Sequence, residues 1–518
     1  MSEGTSGLGG LTPEAAGDVR TVAKGGAVQM VGQVTQKGVT FLLVAVMVRT
    51  LGTADYGLYR QVFQILMVAT TLSSGGFPAA AVRFIAKARV ARDPAASRGA
   101  ARTTIAGAGV MSMVVFAVGF LAADQIAAAF ADSPSSRTYL AFLLRVGVAY
   151  VPLYGCMQVL RFCTQAYRTM VPSVIVGNVI QPLARFTLTV VALLVGFSVT
   201  GAVVALVASA GIALLSGFWY YRRLLSDAER AATPRAQIGP ILRFTFPQAG
   251  VALFSTQSLG LGILLIGAFG VDREVGLYGI AQSLQLAGGL FLNSIVGIWA
   301  PVVVHIYERG EIARLESLYQ TINRWVATFS VPIFMALMIQ PEFFVLLLSG
   351  QADSDAAILV SILAAGNLFY VATGPSGYLL AMTGRPGINL LNSLVSVGLY
   401  VGLGVWLVPL YGAIGMAVVD AIVTALVNIA RAIEGKILVG VQPFGRTFIK
   451  PMAATLAASA VLIVLRLVLG HSPAMAVAGL ASAGIVYLGV LKLIGLEAEE
   501  RHVIDEVKAR LFGAFKRN

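Results

Sequence analysis

Charge is what this sequence has least of. Only 12% of its 518 residues are Asp, Glu, Lys or Arg, while 57% are hydrophobic; a soluble globular protein carries roughly 25% charged residues. That balance excludes a soluble domain with a single anchor. Cysteine is nearly absent. Cys156 and Cys163 stand at the end of one apolar run and in the break after it, so no disulfide framework is expected. The three histidines, His305, His471 and His502, fall in separate loops or tails. None has a partner at metal-ligand spacing, which leaves no metal site and no catalytic histidine to expect. Nucleotide machinery is missing too. Gly435-Lys436 follows Ala430 and precedes Ile437, where a phosphate-binding loop needs Gly and Ser or Thr. Neither a cofactor nor enzymatic catalysis is expected. Acid inside the apolar runs is reduced to one residue, Asp420.

The sequence does have long apolar runs, each near the 20 residues that a helix needs to cross about 30 Å of hydrocarbon. Strands of a membrane barrel are shorter and alternate in polarity, so these runs are helices. The first, near 26–48, is too long for a signal core and is expected to be retained. About fourteen such helices are predicted between residues 26 and 495. The breaks between them alternate in charge. One set holds 28 basic residues, among them Arg161 in the break before the fifth run, and the other four: Arg49, Arg60, Arg137 and Arg273. Cytoplasmic loops carry the Lys and Arg excess, so both termini are expected in the cytoplasm. The net charge of +13 therefore reflects topology rather than nucleic-acid binding.

The chain also repeats. Asp55-Tyr56-Gly57-Leu58-Tyr59 recurs as Glu274-Val275-Gly276-Leu277-Tyr278, and Gln29 matches Gln248, both at offset 219. Arg168 matches Arg385 at offset 217, and Gly201 matches Gly415 at 214. Four matches in order predict two six-helix lobes related by a pseudo-twofold along the membrane normal, with a cavity between them. The expected organisation is a cytoplasmic tail (1–23), an N-lobe (24–235), a C-lobe (236–436), two added helices (437–496) and a cytoplasmic amphipathic tail (497–518). Pro152, Pro247 and Pro332 predict kinks in their helices.

Five basic residues lie inside runs: Lys37, Arg145, Arg185, Arg466 and Lys492. Lys37 is the most informative. Gln29, Gln33 and Gln36 recur at i, i+4 and i+7, so they share one face beside it. Roughly 18–20 Å of helix separates Lys37 from Lys24 and from Arg49, too far for easy snorkelling. A mid-membrane ammonium costs about 2.5–3.5 kcal/mol. It either faces a wet cavity or sits in a structural hydrogen-bond network. Arg185, with Asn178 and Gln181 nearby on its helix, offers the same choice. Arg145 either lines the cavity or reaches the outer surface, while Arg466 and Lys492 are expected to snorkel. At the duplication offsets Lys37, Arg185 and Arg145 meet Thr256, Gly402 and Ile362, so one lobe supplies a positive wall and the other a neutral one. Such a wall suits an anionic group such as phosphate. Asp420 is a candidate coupling site for a proton or sodium ion, or a partner for a basic residue.

Further motifs complete a pattern: Val48 through Tyr59, Gly75-Gly76-Phe77 with Arg83-Phe84-Ile85-Ala86, Tyr307 through Glu311, Thr383-Gly384-Arg385-Pro386 and Tyr411 through Gly415. Over nearly the whole chain this resembles the multidrug/oligosaccharidyl-lipid/polysaccharide exporter superfamily, in particular its Wzx-like lipid-linked oligosaccharide flippases. The resemblance implies fourteen helices in two lobes and a cationic N-lobe cavity, a character that Lys37, Arg145 and Arg185 fit. It implies translocation of a polyprenyl-diphosphate-linked glycan across the cytoplasmic membrane for surface polysaccharide synthesis. Membrane lipid is the surrounding partner, and glycosyltransferases or a polymerase of the same pathway are candidate partners. Lipid II flippases of this superfamily pattern their first helix differently. The alternative is a multidrug and toxin extrusion antiporter, but these carry a membrane-embedded N-lobe acid that is missing here. A major facilitator would carry a Gly-Asp-Arg signature, which Arg83–Arg102 lacks.

Overall fold

The computed structural model describes residues 13–131, 133–167, 169–253, 260–269, 272–470 and 472–495. The predicted tail 497–518, Arg168, Thr256, His471 and His502 lie outside them. Among the described residues the chain is all helix, apart from short connections. Among these described residues twelve helical stretches are long and apolar enough to cross a membrane. A helix satisfies its own backbone groups where lipid offers no partner, which is why the apolar runs take this form.

In the first half, α1 (Pro13–Leu51), α2 (Thr53–Ser74), α3 (Phe77–Val90) and α4 (Pro94–Leu121) come first. A short α5 (Ala123–Phe130) precedes α6 (Pro134–Gly147), α7 (Tyr150–Gln165), α8 (Val171–Leu194) and α9 (Val199–Leu224). The connecting α10 (Asp227–Ala231) leads to α11 (Ile238–Leu253), α12 (Leu261–Phe269), α13 (Asp272–Glu308) and α14 (Ile312–Ile339). Then follow α15 (Pro341–Ser349), α16 (Ser354–Thr373), α17 (Ser376–Met382) and α18 (Pro386–Glu434). The chain ends in the adjacent pair α19 (Ile449–Leu469) and α20 (Pro473–Ile494).

Local chemistry explains most of the boundaries. Asp93 caps α4 by accepting from the Ala96 amide, and Pro94 occupies the first turn, where no amide is needed. The α2–α3 break sits at Gly75-Gly76, where Gly75 has φ +39°. Pro152 breaks its predicted span. Its ring would crowd the carbonyl of Val148, and the helix divides there into α6 and α7. Pro332 lies inside an unbroken α14.

The structure corrects several boundaries. Helix α1 starts at Pro13, ahead of the first predicted run, and α7 runs to Gln165, so Arg161 and both cysteines are helical. His305 is on α13 rather than in a loop. Among the described residues twelve stretches qualify as spans. Helix α18 counts once among them although it is two helices joined at Gly412, whose φ is +57°, and residues 254–259, between α11 and α12, lie outside the described ones.

The repeated motifs meet in space. Gly57 of α2 and Gly276 of α13 lie against each other. A Cβ on Gly57 would strike the Asp272 carbonyl, and one on Gly276 would strike that of Thr53. Small residues let backbones approach this closely in membranes. From there one face of α2 continues the contact with the second half. Arg60 donates to Gln282 at 3.1 Å, and the Gln61 amide reaches the Gly267 carbonyl at 3.4 Å. At the end of α1, Arg49 donates to the carbonyls of Leu347 and Leu348 at 2.5 and 3.3 Å.

Candidate functional site

The glutamine face of α1 is half-buried, and so is Lys37. Gly32, on the same helix, lets α8 approach, since a Cβ there would collide with Val174. At this crossing the Asn178 side-chain amide donates to the Gln36 side-chain oxygen at 2.9 Å. Asn178 lies in a π-helical stretch of α8, Ile175–Ile180. Such widened turns redirect side chains out of the regular ladder. The Asn178 oxygen accepts from Arg161 of α7 at 3.4 Å. Arg161 also donates to Gln158 at 2.9 Å and to Ser173 at 3.3 Å. Gln165 donates to the same serine hydroxyl at 2.8 Å. A polar network thus joins α1, α8 and α7, with a guanidinium at its centre. Sequence reasoning placed Arg161 in a loop because a basic residue ended the apolar run. The partner groups on α8 let the helix carry it further.

Lys37 adjoins this network in sequence, and among the described residues it has no hydrogen-bond or ion-pair partner. It supplies an uncommitted ammonium on a half-buried face.

Arg185 is held differently. Its Nε and Nη2 both donate to the Tyr59 hydroxyl, at 3.0 and 2.5 Å. Its guanidinium lies over the Phe63 ring, 4.3 Å from the centroid. Tyr59 and Phe63 stack with an interplanar angle of 5°. A weakly hydrated, planar cation suits this aromatic cradle. Asp420 shows a counterpart in the second half. It accepts from the Tyr278 hydroxyl at 3.3 Å. Among the described residues it has no basic partner, so the pairing considered for it with a cation is not formed. Tyr59 and Tyr278 are the last residues of the two repeated motifs, and both are buried. Each holds an embedded charge, of opposite sign in the two halves. Sequence reasoning used the repeat to infer symmetry and passed over its tyrosines; the offset of 219 was the signal that marks them.

The other predicted residues are dispersed. Arg145 of α6 forms an ion pair at 2.5 Å with Asp124 of α5, and both are well exposed. Gln181 is buried and donates to Ser209 of α9 at 3.4 Å. Gln29 and Gln33 stay on the α1 face. Gln248 of α11 is exposed beside the α2–α3 break, where a Cβ on Gly76 would come within 2.6 Å of its own Cβ. Arg466, expected to snorkel, instead pairs with Glu342 at 2.8 Å and donates to the Ile339 carbonyl. The site that the structure assembles is therefore Gln36, Asn178 and Arg161 beside Lys37, with Arg185 on the same helix as Asn178.

Three solved structures share this architecture at low sequence identity. A lipid II flippase, MurJ, in an inward closed conformation matches with a TM-score of 0.73 and 11% identity, covering 90% of this chain and 98% of that one. An inward-facing multidrug resistance MATE family transporter of the MOP superfamily matches at 0.63 and 16%, covering 79% and 98%. A MOP superfamily transporter from Pyrococcus furiosus, described by the reverse polarity of its binding pocket, matches at 0.61 and 14%, covering 82% and 96%. These likenesses establish the fold. No curated protein matches in sequence. The family model described as polysaccharide biosynthesis protein matches residues 22–307, more than half of the chain. With that match over more than half of its length, the chain belongs to the polysaccharide biosynthesis protein family.

Proposed function

We propose that this protein flips a polyprenyl-diphosphate-linked oligosaccharide across the cytoplasmic membrane by alternating access. The observation that carries this reading is Lys37: an ammonium without a partner among the described residues, half-buried on the α1 glutamine face. A fixed cation at that depth is costly unless it faces water or an anion, and a diphosphate supplies the anion. Arg185 and the Arg161–Asn178–Gln36 network add positive charge and donors along the same half. The family and the fold shared with a lipid II flippase support a lipid-linked substrate. In this reading the chain crosses fourteen times. Helix α18 counts as two crossings about Gly412, and α11 with α12 forms another. The lobes are 24–235 and 236–436, and both termini are cytoplasmic. The headgroup enters from the cytoplasm against Lys37 and Arg185, the prenyl tail stays in lipid, and the lobes rock to release the headgroup outside.

The test is to deplete the protein from cells and extract polyprenyl-linked sugars. A membrane-impermeant glycan-modifying reagent then reports which leaflet holds them. Accumulation of one lipid-linked glycan, shielded on the cytoplasmic side, is the expected result, and its mass identifies the glycan. A second reading, a cation-coupled multidrug exporter, draws on Asp420, whose neutral tyrosine partner leaves it free to bind a proton or sodium ion. No accumulation, with new sensitivity to cationic drugs, would favour it.

A further inference from the structure

An open cavity of about 670 Å³ lies where α3 meets α11, and Lys37 is not among its lining residues. Arg83, Phe84, Gly239, Pro240, Arg243 and Phe244 line it. It adjoins the α2–α3 break, where Gly76 packs so closely on α11 that a Cβ would strike the Thr245 carbonyl. Its chemistry is divided. Arg83 lies 4.6 Å over the Phe244 ring, and Phe244 meets Phe84 edge-on with centroids 6.1 Å apart. The lining has two guanidinium groups, two aromatic walls and no acid.

Three arginines of the same basic face are spoken for. Arg89 pairs with Glu229 at 3.1 Å, Arg235 pairs with Asp93 at 2.5 Å, and Arg98 donates to the carbonyls of Glu229, Arg230 and Ala232. Arg83 and Arg243 have no hydrogen-bond or carboxylate partner among the described residues. Their forks remain free for a ligand.

The geometry points to this cavity as the docking site for the diphosphate of a polyprenyl-diphosphate lipid before it moves inward. This rests on the flippase reading. Planar guanidinium groups match phosphate oxygens in pairs of hydrogen bonds. Two of them, one from α3 and one from α11, match a group with two phosphates. Phe84 and Phe244 offer apolar surface to the first prenyl units. The two arginines come from helices on opposite sides of the duplication, α3 and α11. A diphosphate bound between them neutralises a like-charge pair that otherwise opposes the approach of the two halves. Substrate arrival and closure at this end are thereby linked.

The test uses the full chain in phosphatidylcholine nanodiscs with farnesyl diphosphate as the probe. Binding is measured for the unmodified protein, Arg83→Gln/Arg243→Gln, Gly239→Trp, Lys37→Gln/Arg185→Gln and the control Arg222→Gln/Arg223→Gln. A Cβ on Gly239 meets nothing within 4 Å, so the tryptophan fills the cavity without removing a charge. Affinity is expected to fall at least tenfold in Arg83→Gln/Arg243→Gln and in Gly239→Trp, and to change less than twofold in the control. Unchanged binding in both cavity variants, with loss in Lys37→Gln/Arg185→Gln, would overturn this inference and leave the flippase reading standing. Displacement of the probe by equimolar phosphatidylglycerol would overturn it in favour of a bulk-lipid site. Absence of binding to the unmodified protein would overturn both readings.

Discussion

Replacing Gly57 with valine tests the contact on which the two repeated motifs close. A Cβ at position 57 falls on the Asp272 carbonyl and within 2.8 Å of the Gly276 amide nitrogen. Both are backbone atoms, so no side-chain rotation relieves the clash. Either α2 or α13 must move. Overpacking of this kind costs about 1–3 kcal/mol, which shifts a two-state equilibrium by roughly 5–150-fold. If the lobes rock, that cost falls on the state in which this end is shut. The readout is maleimide labelling of Gln61→Cys, made in a chain whose Cys156 and Cys163 are replaced by alanine. Gln61 has no exposed surface in this structure, so labelling reports separation of α2 from the second half. Gly57→Val is expected to speed labelling at least fivefold, and Gly276→Val to act alike. Unchanged labelling in a well-folded Gly57→Val protein would refute the idea that this contact separates during transport.

Lys37→Ala is expected to abolish most glycan translocation in the leaflet assay while leaving the melting temperature within a few degrees; normal transport would remove the cationic-site reading. Tyr59→Phe removes the acceptor for both Arg185 donors, a loss of about 0.6–1.7 kcal/mol on the scale of hydrogen bonds in membranes. A lowered melting temperature in thermal denaturation is expected, and no change would show that the aromatic stack alone holds the arginine. Asp420→Asn is expected to remove any dependence of transport on a proton or sodium gradient in proteoliposomes; persistence of that dependence would exclude Asp420 as the coupling site. Glu229, in the connecting α10, is buried and accepts from Ser226, Ser97, Arg89 and Tyr167. Burial alone would raise its carboxyl, but the Ser226 amide, Ser97 and Arg89 outweigh it and hold the group below the usual carboxylate range. Its stabilisation is therefore complete above the unfolded value of about 4.3 and is lost as pH falls through the lower folded value. Glu229→Gln is expected to cost about 1–3 kcal/mol at neutral pH. The difference in melting temperature from the unmodified protein should shrink below about pH 4; a pH-independent difference would contradict this account.

The repeat shows how far sequence reasoning reached into the site. Glycine at both 57 and 276 was visible as a pattern, and its need for close backbone approach follows from the missing side chain. The pairings were not visible. Arg145 with Asp124, Arg466 with Glu342 and Asp420 with Tyr278 are up to 142 residues apart. Nothing in local spacing distinguishes an embedded charge that faces a cavity from one that meets a partner. Arg161 was misplaced for a related reason. A guanidinium ends an apolar run when only composition is considered. It extends a helix when Gln158, Ser173 and Asn178 wait beside it.

By itself, the sequence determined the membrane solvent and the all-helical class, and it set the expectations of two lobes and of a mid-membrane Lys37. Hydrophobic length, charge alternation and helical period are properties of the chain read along one dimension. Tertiary structure alone decided which embedded charges are already committed. That choice depends on donors and acceptors from helices far apart in sequence. In a medium without water, each cation either finds such a partner or remains available to a ligand.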